Sequence, residues 1–403
     1  MSADPTECRA RALIALVLVV ATKSAAATSR TVVVSNVAAL QGAVATTDKA
    51  GGHTRIILEP GTYELTNTLD VTAPNVSLEG RPGDGLHTIV RGDGMSPSAR
   101  VGTLVRVTAA HFELGDLTLE RSRFHLIQIA GEKGASAPII RDCILRDSYE
   151  QMIKISVSGA HAQTTSNYGT IDNCLFEYTA GIGPQYYIGG IDAHGAKRWI
   201  VRGNVFRNIA SPRGSVAEFA IHFWDGSADN TVERNYIVNC DRGIGFGLAS
   251  GPNYGGIIRN NVIFHSANSA PFSDVGIALI SSPNTQVYNN TVFFYDSYPN
   301  GIEYSFPGSN GLLIANNLLN RAISGRGGAT GSILGNVTTA RPEWFVNAQT
   351  GDLHLAFAVP RVVKAGIPIP HLIDDVDGRE RSRTAKPDVG AHEITHVEGA
   401  LGD

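Results

Sequence analysis

The sequence predicts an all-β protein: a single-stranded right-handed parallel β-helix, a solenoid with an N-terminal capping helix and a C-terminal flap. Three observations predict it. First, a short pattern of apolar, polar and Asn residues recurs as "IIRDCIL", "TIDNCLF", "IVRGNVF", "TVERNYI", "IIRNNVI", "QVYNNTV", "LIANNLL" and "SILGNVT". Its register position holds Cys143, Cys174, Asn204, Asn235, Asn261, Asn290, Asn317 and Asn336, at spacings of 31, 30, 31, 26, 29, 27 and 19 residues. A period of this size marks stacked units. Second, apolar residues alternate with period two inside each unit, as in strands. Third, 44 glycines and frequent Pro, Ser and Asn supply turns, and no unit has room for an amphipathic helix. A unit of two or three short strands cannot bury its own apolar face, so successive coils stack. Stacking in register brings the Asn side chains about 4.8 Å apart, close enough to hydrogen-bond along a ladder.

The elements follow in order. Residues 1–29 read as a signal peptide: Arg9 and Arg11 precede "ALIALVLVVA", and "KSAAATS" offers small residues for cleavage. Residues 30–338 form the β-helix with its cap. "NVAALQGAVATTD" (36–48) spaces Val37, Leu40 and Val44 as a helix that closes the open first coil. "FELGDLTL" extends the repeat upstream, with Asp116 in the ladder slot. Residues 339–403, where the repeat dissolves, form an extension packed on the β-helix. Three cysteines remain after signal removal, a poor disulfide framework, and buried thiols are expected at Cys143 and Cys174.

The chain is 403 residues long, 43% hydrophobic and 17% charged, with a formal net charge of -4. No global basic field points to nucleic acid or an anionic membrane. The expected state is a secreted or periplasmic monomer, free of the membrane once the signal is cleaved.

Aligning the second strand of each coil on its buried isoleucine sets Lys154, Asp192, His222, Gly245, Ala278, Glu303 and Ser324 in one outward column. Two places on lie Ser156, His194, Trp224, Gly247, Ile280 and Ser305. Two histidines, a lysine, an aspartate and a tryptophan thus share one patch. Gly243, Gly245 and Gly247 are expected to leave an open floor beside it, with Arg242 at the edge and Tyr186 and Tyr187 reaching over. Arg202, Arg234 and Arg259, in the polar slot before the ladder, read as structural. No cofactor is required. A divalent cation such as Ca2+ on Asp192, His194 and His222 is the alternative, without a compact ligand motif to support it.

"GGHTRIILEPGTYELTNTLDVTAPNVSLEG" resembles the first coils of the pectate lyase superfamily, and is particularly similar to the chondroitinase B and alginate lyase group. "DVDGRERSRTAKPDVGAHE" resembles a closing motif of secreted bacterial β-helix proteins. The resemblance implies a polysaccharide partner and cleavage of a uronic-acid polymer by β-elimination. It implies a lysine base and an arginine acid on neighbouring coils. "SYEQMIKIS" resembles that group's Glu-then-Lys strand, which would make Lys154 the base and Glu150 a substrate-side carboxylate. The Glu150–Lys154 spacing departs from the group's, and no arginine aligns one coil later.

The residue chemistry fits the same reaction. Lys154, His194, His222 and Arg242 can supply a base, an acid and a cation for the sugar carboxylate. Asp192 would orient a neighbour, and Trp224, Tyr186 and Tyr187 suit sugar rings. A neutral histidine is the better base, since a lysine beside Asp192 keeps its proton. Two alternatives stay open: a glycoside hydrolase pairing Asp192 with Glu218 or Asp225, and a non-catalytic carbohydrate-binding protein. The carboxylate pair and Gly-His-Gly of polygalacturonases are replaced by "AEFAIHF" and "RGIGFG", and the Asp-Pro-His-Asp motif of C5-epimerases is absent.

Overall fold

The computed structural model describes residues 30–158, 163–267, 270–382 and 384–394. The expected signal peptide at 1–29 lies outside the described residues, as do positions 395–403 of the extension. Three parallel sheets wrap one apolar interior. Sheet A has twelve strands, from Arg30–Val34 to Gly331–Leu334; sheet B has ten, from Gly61–Glu64 to Leu318–Leu319; sheet C has ten, from Leu69–Val71 to Ala322–Arg326. Each full coil visits A, B and C in turn, as in Ile139–Arg141, Ile144–Ser148 and Ile153–Ser156. Helix α1, Val37–Lys49, covers the first coil; Leu40 and Val44 are buried, and Asn36 caps it by accepting the Ala39 N–H at 2.9 Å.

The corner from sheet A to sheet B explains the Asn repeat. The residue before each ladder position has positive φ: Asp142, Asn173, Gly203, Arg234, Asn260, Asn289, Asn316 and Gly335, all between 52° and 64°. Asp, Asn and Gly tolerate that region best. The next side chain turns inward. Asn204 Nδ2 donates to Asn235 Oδ1 at 3.0 Å, and the relay continues through Asn261, Asn290, Asn317 and Asn336 at 2.9–3.0 Å. Each Oδ1 also accepts the backbone N–H of the preceding ladder residue, and each Nδ2 reaches a carbonyl, so these buried amides are satisfied. Cys143 and Cys174 hold the slot upstream as free buried thiols whose Sγ atoms donate to carbonyls.

The three arginines of the polar slot occupy two different places. Arg202 and Arg259 stand on the outer face of sheet A, paired with Asp172 at 2.8 Å and Glu233 at 2.6 Å. Arg234 sits in the corner itself, φ 54°, facing Asp374 at 3.5 Å. One-residue differences in spacing to the ladder Asn separate the two settings.

The outer face of sheet B changes character along the axis. In register, Glu64, Arg91, Glu120, Arg146, Glu177 and Arg207 alternate in charge. The same column continues as Val238, Phe264 and Phe293. Residues from Ala340 to Ala391 cover this apolar stretch, burying Phe345, Leu353, Leu355, Val362 and Val389 against it. Buried Arg381 fastens the segment: its guanidinium donates to Asp374, Gly390 and Ala391 carbonyls, to Glu393 Oε2 at 2.5 Å and to Asn260 Oδ1 at 3.2 Å.

Candidate active site

The candidate residues stand on the outer face of sheet C. Pairing sets Gln128, Lys154, Asp192, His222, Gly245, Ala278, Glu303 and Ser324 side by side on successive coils, with His194 opposite Trp224 in the next column. Between the two columns Ile155, Ala193, Phe223 and Phe246 are buried in the core, as strand alternation requires. Lys154, Asp192, His194, His222 and Trp224 therefore form one cluster.

Asp192 is its hub, with a side chain only 5% exposed. Oδ2 contacts Lys154 Nζ, and Oδ1 accepts the Trp224 Nε1–H at 2.7 Å. Lys154 Nζ also lies 2.8 Å from His194 Nε2, while His194 Nδ1 lies 3.2 Å from Asp225 Oδ2. An ammonium only donates, so Nε2 accepts from Lys154 and Nδ1–H donates to Asp225. Burial by itself would raise the Asp192 carboxyl; contact with His194 and the charge of Lys154 outweigh it and hold the group below the usual carboxylate range. The side chains of Lys154 and His194 keep 16% and 17% exposure, so both can meet a ligand on the strip.

His222 is corrected from an outward base to a buried support. Its side chain is 4% exposed, between the Phe219 ring at 4.9 Å and the Trp224 ring, stacked at 5.6 Å. Nε2 donates to the Gly247 carbonyl at 3.1 Å; Nδ1 has no hydrogen-bond partner and lies 4.0 Å from Asp192 Oδ1 and 3.9 Å from Glu218 Oε2. Burial lowers its pKa to about 4, so the ring is neutral. Trp224 is likewise more than a sugar platform: His194 packs on it at 4.2 Å, and Gly251 leaves room for its ring.

The open floor is also corrected. A Cβ on Gly245 would lie 2.7 Å from the Phe219 ring, and on Gly243 and Gly247 2.1 and 1.9 Å from the carbonyl oxygens of Gly276 and Ile280. These glycines permit close approach of a ring and of neighbouring backbone. Phe219, Val275 and Ala278 form an apolar patch there. Arg242 stands at its margin, over the Phe219 ring at 5.3 Å and paired with Asp274 at 2.7 Å. Tyr186 and Tyr187 are exposed, and among the described residues no hydrogen bond or ring contact ties them to the cluster. Glu150 stands near the Lys154 end, 4.0 Å from His125, with its pKa raised by burial.

Three nearby residues escape a reading by alternation. His125, Gln151 and Phe219 all stand two places before a buried strand isoleucine; the first two lie at the corner leading into sheet C, and Phe219 opens the strand Phe219–Trp224. That shared offset is the signal that could have found them. His125 donates through Nδ1 to the Gln151 carbonyl at 2.9 Å, and burial lowers its pKa to about 4.

For the cation alternative, both His194 nitrogens and His222 Nε2 are already engaged, which leaves only buried His222 Nδ1. Among the described residues, a metal-type grouping occurs instead at Asp375, Asp377 and His392 in the C-terminal segment. There His392 Nδ1 accepts the Leu355 N–H at 3.1 Å, and Asp375 accepts backbone N–H groups of Asp377, Arg379 and Glu393. Those atoms serve the turn.

A family model described as "Right handed beta helix region" matches residues 125–319, a little under half of the chain. No curated protein matches it. Among solved structures it is similar to the tailspike protein of E. coli bacteriophage HK620 in complex with a pentasaccharide, at 14% identity and TM-score 0.50, covering 75% of this chain and 63% of that one. It is also similar to a mannuronic-acid-specific polysaccharide family 6 lyase from human gut microbiota, at 16% identity and TM-score 0.48, covering 76% and 80%. A third is the catalytic unit of an alpha-1,3-glucanase from Streptomyces thermodiastaticus, at 12% identity and TM-score 0.41, covering 75% and 60%. At 14% identity the likeness to the tailspike is one of fold alone; the three stacked parallel sheets and the matching family model make the chain a right-handed parallel β-helix protein.

Proposed function

We propose that this protein is a secreted polysaccharide lyase that cleaves a uronic-acid-containing polymer by β-elimination on the outer face of sheet C. The observation that carries the reading is the chain Asp225–His194–Lys154–Asp192, whose histidine and lysine are both reachable from solvent. A sugar carboxylate arriving at Lys154 competes for its ammonium protons and frees the His194 Nε2 lone pair. His194 then removes the C5 proton, and Asp225 stabilises the imidazolium through Nδ1. Lys154 holds the carboxylate on which charge develops. Asp192 fixes Lys154, and Trp224 fixes Asp192. Hydrolysis would need Asp192 as base or nucleophile, but both its oxygens are already engaged, which favours elimination.

The test is a panel of uronate polymers, followed by the ultraviolet absorbance of the C4=C5 double bond conjugated to the carboxylate. His194→Ala and Lys154→Ala should each lower turnover by roughly 100-fold or more. Near-normal turnover in both variants would place the site elsewhere. The Arg-flanked apolar run at 12–21 supports export, checked by sequencing the N-terminus of protein recovered outside the producing cell.

A further inference from the structure

We propose that Glu218 is the proton donor to the leaving glycosidic oxygen, held as a carboxylic acid against the Nδ1 atom of His222. The proposal rests on the lyase reading above and deepens it. His222 spends Nε2–H on the Gly247 carbonyl, so a neutral ring presents Nδ1 as an acceptor. That nitrogen is buried and without a hydrogen-bond donor, and Glu218 Oε2 is 3.9 Å away. A protonated carboxyl meets this acceptor by a small side-chain rotation; a carboxylate facing a lone pair does not.

The Glu218 side chain keeps 32% exposure, so it can both reach a ligand and touch His222. The charged and titratable groups facing it are Asp192, Lys154, Arg242, His194 and His222. Burial and then the fixed negative charge of Asp192 raise its pKa, against the lowering effect of Lys154, Arg242 and His194. The two carboxyl groups are thus pushed in opposite directions, Asp192 at the centre toward the carboxylate and Glu218 at the flank toward the acid.

The step balances. The C5 proton goes to His194 Nε2, and the C5–H electron pair becomes the C4=C5 double bond. The C4–O4 bond breaks with its pair on O4, which takes the Glu218 proton. The His194 proton returns to Glu218 through solvent.

Glu218→Gln keeps a hydrogen-bond donor for His222 but has no proton to give. Its kcat should fall by roughly 100-fold or more with KM within about threefold, and the alkaline limb of the kcat profile should vanish. A kcat near that of the wild type, or an unchanged alkaline limb, overturns the proposal. Carbon-13 titration of the wild-type carboxyls, assigned with the same variant, needs no substrate: a Glu218 that ionises below about pH 5 overturns the proposal whatever the polymer. If the wild type forms new reducing ends without unsaturated product, the lyase reading falls; the proposal survives only if Glu218→Gln abolishes those ends. A wild type with neither activity on uronate polymers overturns both.

Discussion

At the scale of single residues, the site rests on how few side-chain atoms are left without work. Asp192 carries Lys154 and Trp224 at once, and removing one of them leaves a buried carboxylate short of a partner, a costly state. His222 bears on stability as well as on the site. Its folded pKa of about 4 lies below the ordinary 6.5, so between those values the unfolded chain binds more protons. The stabilisation is complete above pH 6.5 and is lost as pH falls toward 4. His125 adds a term of the same sign. Buried Asp241 acts in the opposite direction: burial raises its pKa to about 6, so it favours the folded state at low pH and that contribution is lost as pH rises through 6. Denaturant unfolding at pH 7 and pH 4.5 should therefore show His222→Gln losing less stability on acidification than the wild type, by up to about 3 kcal/mol. An identical loss in both would show that the ring is already protonated in the folded protein.

At the scale of elements, one buried guanidinium ties the C-terminal segment to itself and to the β-helix beside an apolar seam. Arg381 is buried, and burial lowers its pKa, yet it satisfies three carbonyls, Glu393 and Asn260 across the seam with sheet B. Arg381→Leu keeps the volume and strands Glu393, so we expect a loss of roughly 3–5 kcal/mol, the usual cost of breaking a buried ion pair from one side. Limited proteolysis should cut first within residues 340–394 of that variant. Resistance equal to the wild type would mean that the apolar seam of Phe345, Leu353 and Val389 suffices. The sheet B column shows why the segment sits where it does. Upstream, alternating Glu and Arg make a water-facing face; downstream, Val238, Phe264 and Phe293 need a cover.

At the scale of the whole molecule, a solenoid is nearly additive in its coils, because each coil contacts its neighbours. Excising Leu117–Asp142 joins Asp116, which the pairing makes the corner residue of its coil rather than its ladder residue, to Cys143 and returns all three sheets to register. It also sets Arg91 against Arg146, since the charge column alternates coil by coil. The shortened protein should fold with the same sheet signal by circular dichroism, and added salt should recover part of its lost stability, as like charges are screened. Excising half a coil should leave no folded product. Equal outcomes for the two deletions would contradict nearest-neighbour stacking.

The sequence by itself determined the coil period, the parallel solenoid and the outward register of Lys154, Asp192, His194, His222 and Trp224. These follow from local rules: alternation assigns each strand residue a face, and parallel stacking makes equal offsets neighbours. Only the tertiary structure decided what those faces meet. Alternation places His222 outside the barrel, but Phe219, at the start of the same strand, closes over it. Spacing puts three glycines in a row, but ring and carbonyl atoms of other coils fill the space they leave. Glu218 gains its environment from Asp192 one coil earlier and from burial by a corner of its own coil. Burial and charge at a site depend on contacts across coils and corners, which a repeat pattern does not encode.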